Sequence, residues 1–149
     1  MKLNNDGYNL ICEFEGLRLQ PYLCSAKVPT IGYGNTFYQN GKKVTLNDKS
    51  ISQFEAFEMF KTVADDFAKK VDFRLKNILN QNQFNALVSF AYNVGIKAFT
   101  DSTLLKKVNK LPNDAKIVLE FQKWNKAGGK IIQGLVNRRQ KEIDLYFKL

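Results

Sequence analysis

The chain contains no histidine, so any proton it moves near neutral pH must travel through Asp, Glu, Cys, Tyr or Lys. The same absence excludes Ser-His-Asp and Cys-His nucleophile systems and argues against a zinc site, so neither a metal nor another cofactor is expected. One stretch gathers the chemistry that remains. Glu15 is followed by eight residues, then Cys24, then five more, then Thr30 and the run IGYGNT. Gly16 reads as a helix stop, which sets the Glu15 carboxyl at the negative end of a helix. That field disfavours the anion, as burial would, and a carboxyl that holds its proton is what a general acid for glycosidic-bond cleavage requires. Glu13 meets the same compositional test, and a Glu at a helix end is most often a plain surface acid. Residue type alone does not choose between the two.

The elements that must hold these groups follow from periodicity. Leu10, Phe14 and Leu17 form one helical stripe, predicting a helix over Asn4 to Phe14 that ends near Glu15. From Leu17 to about Thr45, Pro21, Pro29, Gly32, Gly34 and Gly41 interrupt any helix, while Thr30, Ile31, Tyr33 and residues 36–38 suit strands. Asn40-Gly41 is a strong hairpin-turn dipeptide, so a two- or three-stranded antiparallel sheet is predicted. Pro29, which lacks an amide hydrogen, belongs at an edge or strand entrance. Ser52-Gln-Phe-Glu55 has the capping-box pattern and opens a helix to about Val71, long enough to link two lobes. Gln81 to Gly95 is apolar nearly all round and predicts a central core helix. Further helices are predicted near Ser102 to Asn109, Asn113 to Trp124 and Leu135 to Phe147, with a loop at Lys126 to Lys130. The class is α+β: one domain over residues 1–149, with a β-rich lobe at about 17–50, a linking helix at about 52–71 and a helical lobe at about 1–16 and 72–149.

The whole chain narrows the function classes. Its 149 residues, 44% hydrophobic, bury a core without metal or disulfide support. Two cysteines are too few for a disulfide scaffold and are expected as free thiols. No apolar run spans a bilayer, and the acidic N-terminal stretch lacks a signal-peptide core. Synthesis in the host cytoplasm without a signal peptide or membrane anchor is therefore expected. The net charge of +9 attracts polyanions without choosing among them, and its lysines are scattered rather than gathered in a tract.

The acid, thiol and hydroxyl spacing with the GYGNT strand resembles the catalytic signature of the phage-type lysozymes (glycoside hydrolase family 24), in the variant with Cys at the second position. QNQFNALVSFAYNVG is similar to that family's central helix, FTDSTLLKKV to the segment after it, and KWNKAGGKIIQGLVNRRQKEIDLY to its C-terminal helices. The resemblance implies a lysozyme-like fold and makes Glu15 the general acid, with Cys24 and Thr30 positioning a water. It also places Tyr92, Asn93, Ser102 and Arg138 along the substrate path, Arg138 near the acid in preference to Arg139. Asn35 departs from the family, which commonly has His there. The implied activity is hydrolysis of the β-1,4 bond between N-acetylmuramic acid and N-acetylglucosamine in peptidoglycan glycan strands, with host-cell lysis. A separate holin is expected for release to the cell wall, and a monomer is expected.

Two other readings stand beside this one. A lytic transglycosylase also uses one Glu but closes an anhydro ring without water, and a thiol in place of a carboxylate keeps it open. A non-catalytic binder of nucleic acid or wall polymer would use the +9 charge with Tyr33, Phe37 and Tyr38. No compact basic tract or nucleic-acid motif supports it, so no specific nucleic acid partner is expected.

Overall fold

The structure, a computed structural model, describes every residue from Met1 to Leu149. Helix α1 (Asn5–Glu15) stops where Gly16 turns to φ 69°, a left-handed conformation that glycine enters without steric cost. Strands β1 (Arg18–Leu23) and β2 (Pro29–Gly32) then pair antiparallel, with Leu23 opposite Pro29, Tyr22 opposite Thr30 and an irregularity between Arg18 and Tyr22. Pro29 stands at the strand entrance, where its missing N–H is best tolerated. The sheet has only these two strands. The Asn40-Gly41 turn forms with Gly41 at φ 84°, yet Phe37 and Lys43 meet in a single bridge rather than a third strand. The Tyr38 and Val44 amides donate to the Lys42 and Thr36 carbonyls at 2.9 Å, and side chains add to them: the Tyr38 hydroxyl donates to Asp48 at 2.7 Å and the Lys42 amide to Asn40 at 3.0 Å.

Helix α2 (Gln53–Arg74) opens on the predicted cap, with the Ser52 hydroxyl accepting from the Glu55 amide at 3.1 Å. It runs three residues past the predicted end. Helix α3 (Gln81–Val94) starts on a second capping box, where Asn80 and Gln83 bond each other's amides at 2.8 and 3.0 Å. Helices α4 (Ile96–Asp101), α5 (Thr103–Lys110) and α6 (Ile117–Gln122) follow. Residues 126–130, read from sequence as a loop, are a small hairpin of β3 (Lys126–Ala127) and β4 (Lys130–Ile131). Gly128 and Gly129, at φ 58° and 77°, supply the two left-handed positions of its tight turn. Helix α7 (Gln133–Tyr146) completes the chain, and no helix is long and apolar enough to cross a membrane.

The chain falls into two compact units, one of Ile11–Asp66 and one of Met1–Leu10 with Phe67–Leu149. In the first, Ile31, Val44 and Met59 form a buried cluster with Tyr38 and Ile51 against it. In the second, every residue from Gln83 to Ala91 of α3 is buried. Phe90 there meets Phe99, Phe121 and Trp124 edge-on at 6.2, 5.6 and 5.5 Å between ring centres.

The largest interface of this helical unit, α3 against α7, contains charge. Glu142 is fully buried and its carboxylate accepts from the Ser89 hydroxyl at 2.6 Å and from Arg139 Nη2 at 3.2 Å. Arg139 Nε approaches the second carboxylate oxygen to 2.7 Å as an ion contact rather than an aligned hydrogen bond. Arg138 adds a longer contact at 3.4 Å and donates to the Ser89 carbonyl at 3.1 Å. Burial pushes the Glu142 carboxyl pKa up, while the two guanidiniums and Ser89 pull against it. Glu142→Gln is expected to lower the unfolding free energy by about 3–5 kcal/mol, because two buried cations lose their counter-charge. A urea titration checks this; a loss below about 1 kcal/mol would mean that other groups meet those charges.

Candidate active site

Glu15 is the last residue of α1 and is half-buried, whereas Glu13 is exposed. Burial thus separates two acids that composition could not. Beside Glu15 lies a tight turn in which Ile31 and Asn35 exchange both backbone hydrogen bonds at 2.9 Å. Gly32 and Gly34 take φ of 70° and 85° within it, a conformation that side chains resist. A Cβ built on Gly34 would lie 4.0 Å from Glu15 Oε2, so bare backbone runs alongside the carboxyl. One helical turn before Glu15, the Cys12 thiol bonds the Tyr33 hydroxyl, which also reaches the Gln53 side chain. Burial, and then the charge of Glu15, push the Cys12 thiol up to about 11. Asn35 donates to the Met59 carbonyl at 3.4 Å, and its side-chain oxygen is buried without a hydrogen-bond partner.

Cys24 occupies the connection between β1 and β2. The chain reverses there through Lys27 N–H to the Cys24 carbonyl at 2.8 Å and Cys24 N–H to the Val28 carbonyl at 3.1 Å, with Lys27 itself at φ 59°. This reversal aims the Val28 and Ala26 amides at the Cys24 sulfur and brings the Thr30 hydroxyl within its reach. The Val28 amide first, then Thr30 and Ala26, hold the half-exposed Cys24 thiol below its ordinary value of 9.0. Thr30 is buried and donates its hydroxyl proton to the Val28 carbonyl at 2.8 Å. A hydroxyl has one proton and two lone pairs, so Thr30 shares its proton between the Val28 carbonyl and the Cys24 sulfur and keeps its lone pairs for a water. Both cysteines are free, and their environments push them in opposite directions.

The remaining sequence candidates lie in the helical unit. Tyr92 packs against Phe67 with ring centres 5.2 Å apart, and Asn93 is exposed. Ser102 caps α5, accepting from the Leu105 amide at 3.1 Å and donating to the Phe99 carbonyl at 2.6 Å. It also lines a hollow of about 330 Å³ with Glu120, Lys123 and Trp124. Arg138 and Arg139 are buried in the Glu142 cluster, where helix-surface arginines are usually solvated. No three metal-ligating carboxylates or thiols converge anywhere in the chain.

Comparison with known proteins fits this geometry. The phage lysozyme family matches residues 12–142, most of the chain and all of the Glu15 to Thr30 stretch. The chain belongs to the phage lysozyme family. It is 42% identical over 148 residues to an endolysin of Bacillus phage PZA, covering 98% of this chain but only 55% of that protein. This phage lysozyme domain therefore spans about half the length of such relatives. It is 39% identical to an endolysin of Acyrthosiphon pisum secondary endosymbiont phage 1, covering 98% of each chain. Among solved structures, it is similar to the endolysin from Escherichia coli O157:H7 phage FAHEc1, with TM-score 0.89, 38% identity and 99% and 94% of the two chains covered. It is also similar to the muramidase domain of SpmX from Asticaccaulis excentricus, with TM-score 0.84, 28% identity and 99% of each chain covered. The expected lysozyme-like α+β fold is thus the one observed.

Sequence reasoning missed the backbone donors at Ala26 and Val28 and the Cys12–Tyr33–Gln53 chain. Amides carry no side-chain signature, and only the left-handed Lys27 betrays the reversal that aims them. Limiting iodoacetamide near pH 7.5, followed by peptide mass spectrometry, is expected to label Cys24 at least about tenfold faster than Cys12, since the thiolate is the reactive form. Equal rates would show that the amides do not draw the Cys24 thiol toward its anion.

Proposed function

We propose that this chain is the catalytic part of an endolysin-type muramidase, hydrolysing the β-1,4 bond between N-acetylmuramic acid and N-acetylglucosamine in peptidoglycan and so lysing the host cell. One observation carries this: within one compact unit, a half-buried carboxyl at a helix end borders bare glycine backbone, while the amide-held thiol sits beside the Thr30 hydroxyl. Similarity to the muramidase domain of SpmX and to phage endolysins supports the substrate class.

In this mechanism Glu15 gives its proton to the departing glycosidic oxygen as the bond to the anomeric carbon breaks. A water adds to that carbon and its proton passes to the Cys24 thiolate. Thr30 orients the water through its free lone pairs. Glycosidases commonly flank the bond with two carboxylates; here Cys24, whose thiol is held below its ordinary value, takes the second place. Lysine-rich charge suits an anionic wall. A monomer that reaches the wall through a separate holin completes the proposal.

Glu15→Gln is expected to reduce clearing of a wall suspension by at least about 10²-fold, with its unfolding midpoint kept; clearing at the wild-type rate would remove Glu15 as the acid. Mass spectrometry of the wild-type digest should find reducing ends, and anhydro ends would replace hydrolysis with ring closure. Activity that needs the Cys24 thiolate rises with pH through the lowered thiol pKa. Cys24→Asp should therefore extend activity to lower pH, because a carboxyl ionises near about 4. Cys24→Ala should clear walls about 10²-fold more slowly, and equal rates for Cys24→Ala and wild type would take the thiol out of the mechanism.

A further inference from the structure

The helical unit carries a second concentration of chemistry where α2 ends beside α5. Asn109 accepts from the Lys76 amide at 2.9 Å and donates to the Arg74 carbonyl at 3.0 Å. Asn77 donates to the carbonyls of Val108 and Asn109 at 3.2 and 2.6 Å. Arg74 is itself fixed, its Nε donating to the Thr100 hydroxyl at 2.5 Å and its Nη1 to the Lys70 carbonyl at 2.8 Å. Beside this frame lies an open surface hollow of about 570 Å³ bordered by Arg74, Lys76, Lys106, Lys110 and Phe73, with no carboxylate in its lining.

Ordinary helix chemistry explains part of this set. Arg74 and Lys110 lie in the last turns of α2 and α5, where cations favour the helix dipole. It does not explain the rest. Lys76 lies beyond α2, and Lys106 stands at i,i+4 to Lys110, a like-charge pairing that weakens a helix. Lys76, Lys106 and Lys110 make no ion pair; the nearby Asp101 carboxylate is held by Lys97 at 2.8 Å, with Lys106 acting on it only at longer range. Phe73 is 87% exposed, an aromatic face left in water at the rim of the charged hollow.

Clustered ammonium groups and an arginine fork recognise phosphate, and an exposed ring offers an apolar face to the carbon skeleton between phosphates. We infer that this hollow binds the phosphodiester groups of an anionic cell-wall polymer, retaining the protein on its substrate through residues other than those proposed for cleavage. The inference rests on the muramidase proposal, which brings the wall to this chain. Single-stranded nucleic acid is disfavoured because its binders stack successive bases on several aromatics, and only one borders this hollow.

The test measures binding of labelled poly(glycerol phosphate) to the full chain across a salt series, beside a single-stranded DNA oligonucleotide of equal phosphate number. Wild type is compared with the triple variant Lys76→Gln, Lys106→Gln, Lys110→Gln. A control triple of Lys42→Gln, Lys49→Gln and Lys148→Gln removes the same charge from other exposed positions. The hollow triple is expected to weaken polymer binding about tenfold or more and to flatten the logarithmic salt dependence by roughly 2, at about 0.7 per phosphate contact. The control triple should change little. Phe73→Ala should weaken binding without changing the salt slope. Equal weakening by both triples would overturn the site in favour of diffuse charge. Tighter binding of the oligonucleotide, lost with the same three lysines, would overturn it in favour of nucleic acid. The hollow triple should hydrolyse soluble, phosphate-free glycan fragments at the wild-type rate, and loss of that hydrolysis would overturn a purely binding role. Glu15→Gln should bind the polymer as wild type does, so failure of the muramidase proposal and failure of this site are read separately.

Discussion

Glu142 holds one negative charge where no solvent can share it, and three stretches of chain must agree on its position. Ser89 reaches it from α3, Arg138 and Arg139 from its own helix, and Arg139 continues to the Trp124 carbonyl at 3.3 Å, just before the β3–β4 hairpin. The Arg139 guanidinium also lies 4.9 Å from the centre of the Phe90 ring, so the charge cluster and the aromatic cluster share an atom group. Apolar contacts tolerate small slips, since each is weak and non-directional. A buried carboxylate does not, because displacement leaves charges without partners. The helical unit therefore gains one arrangement of α3, α7 and the segment after α6 rather than several similar ones.

The smaller unit relies on backbone where the larger relies on charge. Its candidate chemistry depends on glycines that admit left-handed turns, on a proline at a strand entrance and on amides turned toward a sulfur atom. The turn from Ile31 to Asn35 brings peptide groups beside Glu15 through a left-handed Gly34 that a side chain would strain. The two cysteines show what such placement does. Cys12, on the inner side of α1, is driven away from ionisation by burial and by Glu15, while Cys24, at a turn, is drawn toward it by hydrogen-bond donors.

Much of this was legible because local rules and the fold agreed. The cap at Ser52, the stop at Gly16, the turn at Asn40-Gly41 and the apolar run of α3 each have a local physical cause, and each formed. The parts that were not legible depend on partners distant in sequence. A third strand failed to form after residues 36–38 because the tight Asn40-Gly41 turn closes the pairing after one bridge, and the Lys42 amide turns to the Asn40 side chain. The Lys126 to Lys130 hairpin is too short to show a strand period, and α4 is a short helix after Gly95 with no side-chain cap. Arginines on a helix read as solvated until the buried carboxylate between them is known. The spacing of Glu15, Cys24 and Thr30 was visible, but the donors around Cys24 were not, since peptide N–H groups look alike in every sequence.

The bonds that lower the Cys24 thiol pKa also make its turn sensitive to oxidants. A carboxylate at that turn would be inert to peroxide, whereas an accessible thiolate passes to sulfenic acid and then, irreversibly, to sulfinic acid. Cys12, which burial keeps protonated, is shielded from the same fate. Sulfur in the connection between β1 and β2 thus leaves that turn open to oxidation, while the sulfur one turn before Glu15 is kept from it.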